Sequence, residues 1–244
     1  MPKGLSVAEV DFDDHASLVS ALKGHDALII SLSVTAPRDT QSKLVKASAE
    51  ANIKWIMPNE YGVNASDESI ANDTMIGIGA RHVRKEIEQA GLSWVSLTCS
   101  FWLEWSLANG PLGYAIDIPS KTVLFFDDGK TKISTSTWPQ CGRAIAALFA
   151  LKISPDGPAD KSLCLDNYRN KPCFIESFNI SQRDMLDAVE RVTETTDKDY
   201  VINSIAPEKR WQHAKDIMQK GVFFGFNKAL YSRLVTSPLP ITDF

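Results

Sequence analysis

The sequence predicts an α/β protein built on a parallel β-sheet with right-handed crossovers. In the first hundred residues, short apolar runs alternate with amphipathic helical patterns, so that a strand–helix unit repeats and closes with a strand. The run Ala27–Leu32 is apolar on both faces, which is typical of a strand buried in a parallel sheet. The remainder of the chain is less regular and predicts a mixture of helices and strands.

Each element of the first part has a local reason to form. Apolar runs predict strands at Leu5–Val10, Ala27–Leu32, Ile53–Met57 and Ser93–Thr98. Amphipathic patterns predict helices at about His15–Lys23, Asp39–Ala51 and Arg81–Ala90. Asp13 and Asp14 are suited to cap the first helix, and Gly24 follows its end, where a left-handed residue is favoured.

The second part contains one turn signal and several helix starts. The segment Asp127–Gly129 separates apolar runs at Thr122–Phe126 and Lys130–Ile133, which predicts a β-hairpin. Helix starts are indicated by Thr137 with Pro139, by the capping box Ser181–Asp184 and by Pro207. The predicted helices extend to about Leu151, Thr193 and Lys220, with another at Asn227–Leu234.

Composition excludes several classes of protein. The 244 residues are 44% hydrophobic, and 26 basic against 30 acidic side chains give a net charge of −4. That apolar fraction argues against disorder, and a mildly acidic chain with no basic cluster is not expected to bind nucleic acid. The longest near-continuous apolar run, Ala144–Leu151, is too short to span a membrane, and no apolar leader is visible, so we predict a cytoplasmic protein.

Cysteines and histidines give no sign of a metal site. The four cysteines form no C-x-x-C pair and are expected to be reduced thiols, some of them buried. The four histidines lack ligand spacing, and we therefore expect no bound metal.

Motifs that hold nucleotides are missing from the sequence. No G-x-G-x-x-G precedes Leu5, and neither a P-loop nor the Y-x-x-x-K reductase signature occurs. The nearest glycine pair, Gly77-Ile78-Gly79, is interpreted as a flexible loop rather than a phosphate cradle. Periodicity alone therefore predicts a parallel α/β protein of unknown chemistry.

Longer segments, however, resemble a known family. Asp26–Ile30 with Gln41, and Ile53–Gly62, resemble the NmrA-like, isoflavone-reductase-like family of atypical short-chain dehydrogenase/reductases. Asp11–Asp14, followed by Leu18 and Ala21–Gly24, is similar to the family's third strand and the helix that follows it. The resemblance extends from about residue 5 to 233. Three later segments resemble the fungal branch of the family: Phe125–Gly129, Ser134–Pro139 and Ser181–Leu186.

The resemblance implies a fold and a set of site residues. Residues 1–110 would form a partial NAD(P)-binding Rossmann-like domain lacking its first two strands, and residues 111–244 a smaller α+β substrate-binding domain. The cofactor would be NADP(H) or NAD(H), contacted by Ser31, Leu32, Ser33, Gln41, Pro58, Asn59, Glu60, Tyr61, Gly62 and Phe101. Substrate would contact Trp102, Trp105 and Phe125. Ordinary structural roles stay open: a loop hydrogen bond for Glu60, solvation for Gln41 and core packing for Phe101.

Two departures from the family pattern bear on activity. The chain begins where the family's third strand begins, which predicts a truncated member without the glycine-rich turn that holds the pyrophosphate. The family's catalytic lysine corresponds to Ala80, which cannot transfer a proton, and Arg81 and His82 are the neighbouring candidates. Beyond Arg233 the resemblance ends, and the tail Leu234–Phe244 is expected to lie on the surface or to fray.

Three hypotheses of function follow. The first is an NAD(P)H-dependent oxidoreductase homologue acting on a small aromatic or unsaturated substrate, with impaired activity in this chain. The second is a dinucleotide-sensing regulatory protein of the NmrA type, which binds a protein partner without catalysis and is favoured by Ala80. The third is a remnant with neither activity.

Overall fold

A computed structural model of the chain describes residues 4–33, 35–74, 76–220 and 224–234. The α-helices are α1 (His15–Leu22), α2 (Thr40–Glu50), α3 (Glu68–Thr74), α4 (Ile76–Gln89), α5 (Leu103–Ala108), α6 (Trp138–Phe149), α7 (Gln182–Thr193), α8 (Pro207–Gln219) and α9 (Phe224–Leu234). The strands are β1 (Ala27–Ile29), β2 (Trp55–Met57), β3 (Ser93–Thr98), β4 (Phe101–Trp102), β5 (Ile116–Asp117), β6 (Thr122–Phe126), β7 (Ile133–Ser136), β8 (Lys171–Phe174), β9 (Phe178–Ile180) and β10 (Val201–Ile205). The end of the chain, residues 235–244, for which the sequence predicts an exposed or fraying tail, lies outside the described residues.

The described residues divide into two compact units that interleave along the chain. Unit 1 comprises those of Met1–Glu60, Gly79–Ser96 and Ile153–Pro172, and unit 2 those of Tyr61–Ile78, Leu97–Lys152 and Cys173–Phe244. The domain division at residue 110 stays a prediction from the sequence.

Unit 1 carries the predicted parallel sheet, in the strand order β1-β2-β3-β8. Strand β2 pairs in parallel with both β1 and β3, with Trp55 opposite Ala27 on one side and opposite Ser93 on the other. The core of this unit is formed by apolar side chains of α1, α2, α4 and the sheet: Leu18, Val19, Ile30, Leu44, Val45, Ile53, Ile56, Val83, Ile87 and Trp94. The parallel α/β architecture predicted from the first hundred residues is confirmed.

The strand predicted at Leu5–Val10 is wrong. These residues form no strand, and Leu5 and Val7 are 64% and 74% exposed. An apolar run becomes a strand only when its backbone groups find a partner, and no described strand pairs with it. Strand β1 lies at the edge of the sheet and ends at Ile29, which is 44% exposed, so the expected burial of both faces fails there.

The helix boundaries of the first part are confirmed except at α4. Asp14 caps α1 by accepting a hydrogen bond from the Ala16 backbone N–H, and Gly24 has a φ of 82°. Helix α4, however, begins at Ile76, so that Gly77-Ile78-Gly79 is helical and its interpretation as a flexible loop is wrong. A Cβ on Gly77 would lie 2.0 Å from the Cβ of Ala71, and the missing side chain therefore lets α3 and α4 approach closely.

Unit 2 contains two small mixed sheets. One has the order β10-β6-β5 and the other β4-β7-β9. Its core is built mainly from aromatic and aliphatic side chains of these sheets and of α7 and α9: Phe101, Tyr114, Ile116, Phe126, Met185, Leu186 and Tyr231. Gln182 joins them from the start of α7, donating to the carbonyls of Tyr114 and Leu124 and accepting from the Phe126 backbone N–H.

The predicted hairpin across Asp127–Gly129 is wrong, although the turn itself is present. Asp127 and Gly129 have positive φ values of 54° and 72°. The flanking strands separate, because β6 pairs with β5 and β10 whereas β7 pairs with β4 and β9. Backbone hydrogen bonds from Asp127 to Ile205 and from Arg183 to Gly129 take the place of the bonds a hairpin would make.

The predicted helix starts of the second part are confirmed. Thr137 caps α6 by accepting from the Gln140 backbone N–H, Ser181 and Asp184 form a reciprocal capping box on α7, and Pro207 opens α8. Helix α9 begins slightly before the predicted residue. None of the four cysteines is in a disulfide, and Cys99, Cys164 and Cys173 are buried. In the described parts of the chain, no helix combines the length and apolarity needed to cross a bilayer.

Candidate functional site

The carboxyl ends of β1 and β2 are joined by the side chain of Asn59. Its Oδ1 accepts a hydrogen bond from the Leu32 backbone N–H at 3.2 Å, and its Nδ2 donates to the Leu32 carbonyl at 3.2 Å. Gln41 of α2 supports the same residue, since its Oε1 accepts from the Asn59 backbone N–H at 2.9 Å. Residues predicted from the sequence to bind cofactor are thus brought together in unit 1.

The neighbouring segment presents hydroxyl groups. Ser31 and Ser33 are exposed after β1, and the Ser33 hydroxyl lies 2.8 Å from that of Thr35. Pro58 is buried directly after β2 and ends that strand. This edge, at the carboxyl ends of parallel strands, is where open α/β sheets bind their ligands.

Glu60 forms a buried ion pair with Arg84 of α4. Arg84 Nη2 lies 2.5 Å from Glu60 Oε2, and Arg84 Nε donates to the same carboxylate at 3.0 Å. Both side chains are at most 10% exposed. Arg84 also donates to the Ser96 hydroxyl, and its guanidinium lies 4.2 Å from the ring centroid of Trp94.

The electrostatics of Glu60 are dominated by its burial. Loss of hydration raises the pKa of Glu60 above its ordinary value, and the Arg84 charge and hydrogen bonds act in the opposite direction. Glu60 is thus paired with Arg84 in the described structure, and its predicted contact with a cofactor stays a prediction.

Arg84 is the residue of this site that sequence reasoning missed. The sequence nevertheless indicates that Arg84 is buried, because Ala80, Val83, Arg84 and Ile87 follow the spacing of one buried helix face. A charged residue within such an apolar stripe requires a buried partner, and the acid that follows β2 supplies it.

The residues at and beside the position of the family's lysine lie on α4 and differ in exposure. Ala80 is buried in α4 with 8% exposure. His82 has a 70% exposed side chain that lies 3.3 Å from Glu86, one turn later on the same helix. Arg81 is half-buried. Catalytic roles for Arg81 and His82 stay predictions.

In unit 2, Tyr61 and Gly62 lie beside the start of the segment that follows β3. Tyr61 makes a parallel bridge with Leu97, and the Gly62 carbonyl accepts from the Ser100 backbone N–H at 3.0 Å. Burial raises the pKa of the half-buried Tyr61 phenol, so this hydroxyl is a neutral group at physiological pH.

Phe101 is packed in the core of unit 2. It is 4% exposed, stacks on Tyr231 with ring centroids 4.1 Å apart and meets Tyr114 edge-on at 5.7 Å. The hydroxyls of these tyrosines are satisfied by Thr135 and Ser106, respectively 2.6 Å from Tyr114 and from Tyr231. The contact between Phe101 and a cofactor stays a prediction.

The predicted substrate residues differ in how accessible they are. Phe125 is 6% exposed and lies beneath the guanidinium of Arg183, at 5.7 Å from the ring centroid. Trp102 is half-buried, and Trp105 on α5 is 37% exposed. Trp102 and Trp105 are therefore more accessible to a ligand than Phe125.

The starts of α1 and α2 are unsuited to the pyrophosphate of a dinucleotide. Such a group is held at a helix N-terminus by unpaired backbone N–H groups and the positive end of the helix dipole. Here α1 is preceded by Asp13 and Asp14, and α2 by Asp39. Lys43 pairs with both Asp13 and Asp39, at 2.6 and 2.7 Å. Carboxylates thus stand at both helix starts, where a phosphate would be repelled.

Metal chemistry has no visible support in the described residues. Within them, no group of three or more histidine, cysteine, aspartate or glutamate side chains could hold a metal ion.

Comparison with known proteins gives consistent matches. The sequence profile of the NmrA-like family matches residues 2–109. An isoflavone reductase homolog from Zea mays is 32% identical over 131 residues, covering 53% of this chain and 42% of that protein. The chain thus spans less than half of the length of this relative.

Two solved structures share the fold. The crystal structure of an isoflavone reductase has a TM-score of 0.73 at 22% identity, covering 98% of this chain and 73% of that one. AtPrR2, solved with NADP+ and (+)pinoresinol, has a TM-score of 0.72 at 21% identity, covering 97% and 73%. At these identities the likeness concerns the fold alone.

Proposed function

We propose that the chain is an NAD(P)H-dependent oxidoreductase homologue of the NmrA-like, isoflavone-reductase-like family, impaired in this form, for a small aromatic or unsaturated substrate. Residues 1–110 would be its cofactor part and residues 111–244 its substrate part. A cytoplasmic location belongs to the same proposal.

The observation that carries this proposal is the set of hydrogen bonds that joins Leu32, Asn59 and Gln41, which we call the Asn59 junction. Asn59 holds the ends of β1 and β2 together, and Gln41 fixes Asn59 in turn. Family resemblance assigns these residues to the nicotinamide side of the cofactor, and AtPrR2, which shares the fold, was solved with NADP+. A bound reduced nicotinamide would supply hydride to the substrate.

Two features support the proposed impairment. The carboxylates at the starts of α1 and α2 disfavour a pyrophosphate, so that the adenosine half of the cofactor gains little. Ala80 stands where the family's lysine would be and has no proton to give. NADP(H) or NAD(H) would therefore bind weakly, with substrate turnover strongly reduced.

Separate titrations with a whole cofactor and with its nicotinamide half test the proposal. The chain is titrated with NADPH and with reduced nicotinamide mononucleotide, which lacks the adenosine half, while nicotinamide fluorescence is followed. We expect both to bind with Kd values of about 1 mM and within roughly tenfold of each other. Binding of NADPH roughly a hundredfold tighter than the mononucleotide would contradict the impairment, and no binding of either would contradict the oxidoreductase site.

A matched pair of variants locates the binding. Gln41→Ala removes the side chain that supports Asn59 and is expected to lower the affinity for the mononucleotide several-fold. Gln89→Ala, at the exposed end of α4, is expected to leave it unchanged. Equal effects of the two substitutions would show that the nicotinamide does not lie at the Asn59 junction.

Ala80 favours a second candidate, a dinucleotide-sensing regulatory protein that acts through a protein partner and not by catalysis. This candidate predicts that NADPH raises the thermal unfolding midpoint while no aromatic or unsaturated substrate causes NADPH oxidation. Steady oxidation of NADPH with any such substrate would exclude it and support the reductase.

A further inference from the structure

A second site is indicated in unit 2 by the buried arginine of α8. Arg210 is 3% exposed. Its Nη1 donates to the Lys228 carbonyl at 2.7 Å and to the Ser232 hydroxyl at 3.0 Å, and its Nη2 donates to the Pro111 carbonyl at 3.1 Å. A guanidinium has five N–H groups, so one on Nε and one on Nη2 have no acceptor among the described residues.

Arg210 also lacks a counter-charge within the described structure. Its three acceptors are neutral oxygens, and no described carboxylate forms an ion pair with it. Burial lowers the pKa of Arg210 to about 10, which still leaves it protonated at physiological pH. A buried cation without an anion is costly, and the Phe126 ring, whose centroid lies 4.7 Å from the guanidinium, offsets part of that cost. A perturbed charged group beside a cavity is a candidate for binding a ligand of opposite charge.

The arginine lines a cavity of about 280 Å³. His213, one turn further along α8, and Lys228 of α9 line the same cavity, and in the described structure neither side chain has a hydrogen-bond or ion-pair partner. Of the described residues around it, none is aspartate or glutamate. Three basic groups therefore converge on a space that holds no acidic side chain.

The rest of the wall determines which kind of anion fits. Val123, Leu124 and Ile205, from the adjacent strands β6 and β10, give the cavity an apolar side. A phosphate would be surrounded by anionic oxygens on every side and would leave some of them against this apolar wall. A carboxylate places its oxygens at one end only, and a planar carboxylate matches a guanidinium.

From this arrangement we propose that unit 2 binds a small organic carboxylate with a short apolar body. The carboxylate accepts from the free N–H groups of Arg210 and from Lys228, and the apolar body packs on Val123, Leu124 and Ile205. The site lies in unit 2, and none of the residues assigned individually to cofactor or substrate lines it.

Benzoate and benzamide provide the test, because they have nearly the same shape and differ in charge. The chain is titrated with each at low salt while amide chemical shifts are followed by NMR. We expect benzoate to bind about tenfold more tightly than benzamide, with shifts centred on α8, α9 and β6. Equal affinities, or no saturation with benzoate, would overturn the proposal, and tighter binding of inorganic phosphate would overturn the choice of a carboxylate.

Arg210 itself is a poor residue to substitute, since its removal would leave three buried acceptors unpaired. Lys228→Gln tests the site without that loss. It is expected to lower the affinity for benzoate about tenfold and to leave the affinity for benzamide unchanged. Lys220→Gln, at the exposed end of α8 and outside the cavity, is the matched control. Equal effects of both variants on benzoate would reduce the result to a general charge effect and overturn the site. Because the cofactor fragments are tested on unit 1, failure of either proposal leaves the other measurable.

Discussion

The guanidinium of Arg84 meets the carboxylate of Glu60 at 2.5 Å in a pocket where neither side chain is more than 10% exposed. The pair links the segment after β2 to α4, and the ring of Trp94 covers it from one side. Two charges have been taken out of water here, so the consequence of removing one differs from that of removing both.

Glu60→Ala is expected to lower the free energy of unfolding by about 3–5 kcal/mol, because it leaves a buried guanidinium without its anion. The double variant Glu60→Gln/Arg84→Met is expected to recover most of that loss, since both charges are then gone. Urea unfolding measures both. Glu50→Ala, which breaks an exposed contact with His15, is the control and should change stability by less than about 1 kcal/mol. If Glu60→Ala lowered the free energy of unfolding no more than Glu50→Ala does, the buried ion pair would be refuted.

Two glycines on α4 predict opposite effects of the same substitution. Gly77→Ala places a Cβ against Ala71 and is expected to destabilise the chain by about 1–3 kcal/mol through overpacking. Gly79→Ala meets no atom within 4 Å and is expected to stabilise the helix by about 0.5–1 kcal/mol. Thermal unfolding distinguishes the two. If both variants were stabilised, the close approach of α3 and α4 would be wrong.

The capping box of α7 predicts a pH dependence. Hydrogen bonds from the Ser181 backbone N–H and hydroxyl lower the pKa of Asp184 below its ordinary value of 3.8. A lowered pKa in the folded state stabilises the fold above pH 3.8, and this contribution is lost as the pH falls through the folded-state value. Asp184→Asn should therefore be less stable than wild type at neutral pH. The difference in stability should shrink as the pH falls below 3.8. The same pH scan in a Ser181→Ala background should show a smaller difference, and an unchanged one would point to another titrating group.

Carboxylates at the starts of α1 and α2 predict a gain in cofactor binding on their removal. The double variant Asp13→Asn/Asp39→Asn keeps the shape of both turns and releases Lys43, which contacts both residues. We expect NADPH to bind about two- to fivefold more tightly and reduced nicotinamide mononucleotide to be little changed, because only NADPH carries the pyrophosphate. Parallel titrations at two salt concentrations measure this, and an equal gain for both ligands would place the effect elsewhere.

Local signals predicted the helices well. The caps at Asp14, Thr137 and Ser181 are each decided within a few residues of chain, and the structure confirms them. Strand pairing depends on distant segments, which explains why the Leu5–Val10 run was assigned a strand it does not form and why β6 and β7 were joined in a hairpin. A turn signal reports that the chain reverses locally and carries no information about which strands then pair.

The candidate site was predictable to the extent that its residues follow strands. Asn59 and Gln41 lie together at one edge of the sheet, and their contact with a cofactor stays a prediction. The hydrogen bond between them could not be predicted, because it joins residues that are 18 positions apart in the chain. Arg84 was missed, because a charged residue in a helix is ordinarily assigned to its solvated face. The basic cavity of unit 2 draws Arg210 and Lys228 from separate helices, and no spacing rule connects them.

The short connection between β6 and β7 has a consequence for how the chain tolerates changes in length. Its two ends lead into different sheets, and Asp127 and Gly129 are tied by backbone hydrogen bonds to Ile205 and Arg183. An inserted residue at an ordinary hairpin loop disturbs one pair of strands. Here it would shift the register of either sheet and move buried side chains to the opposite face, so this loop should reject insertions that other exposed loops accept.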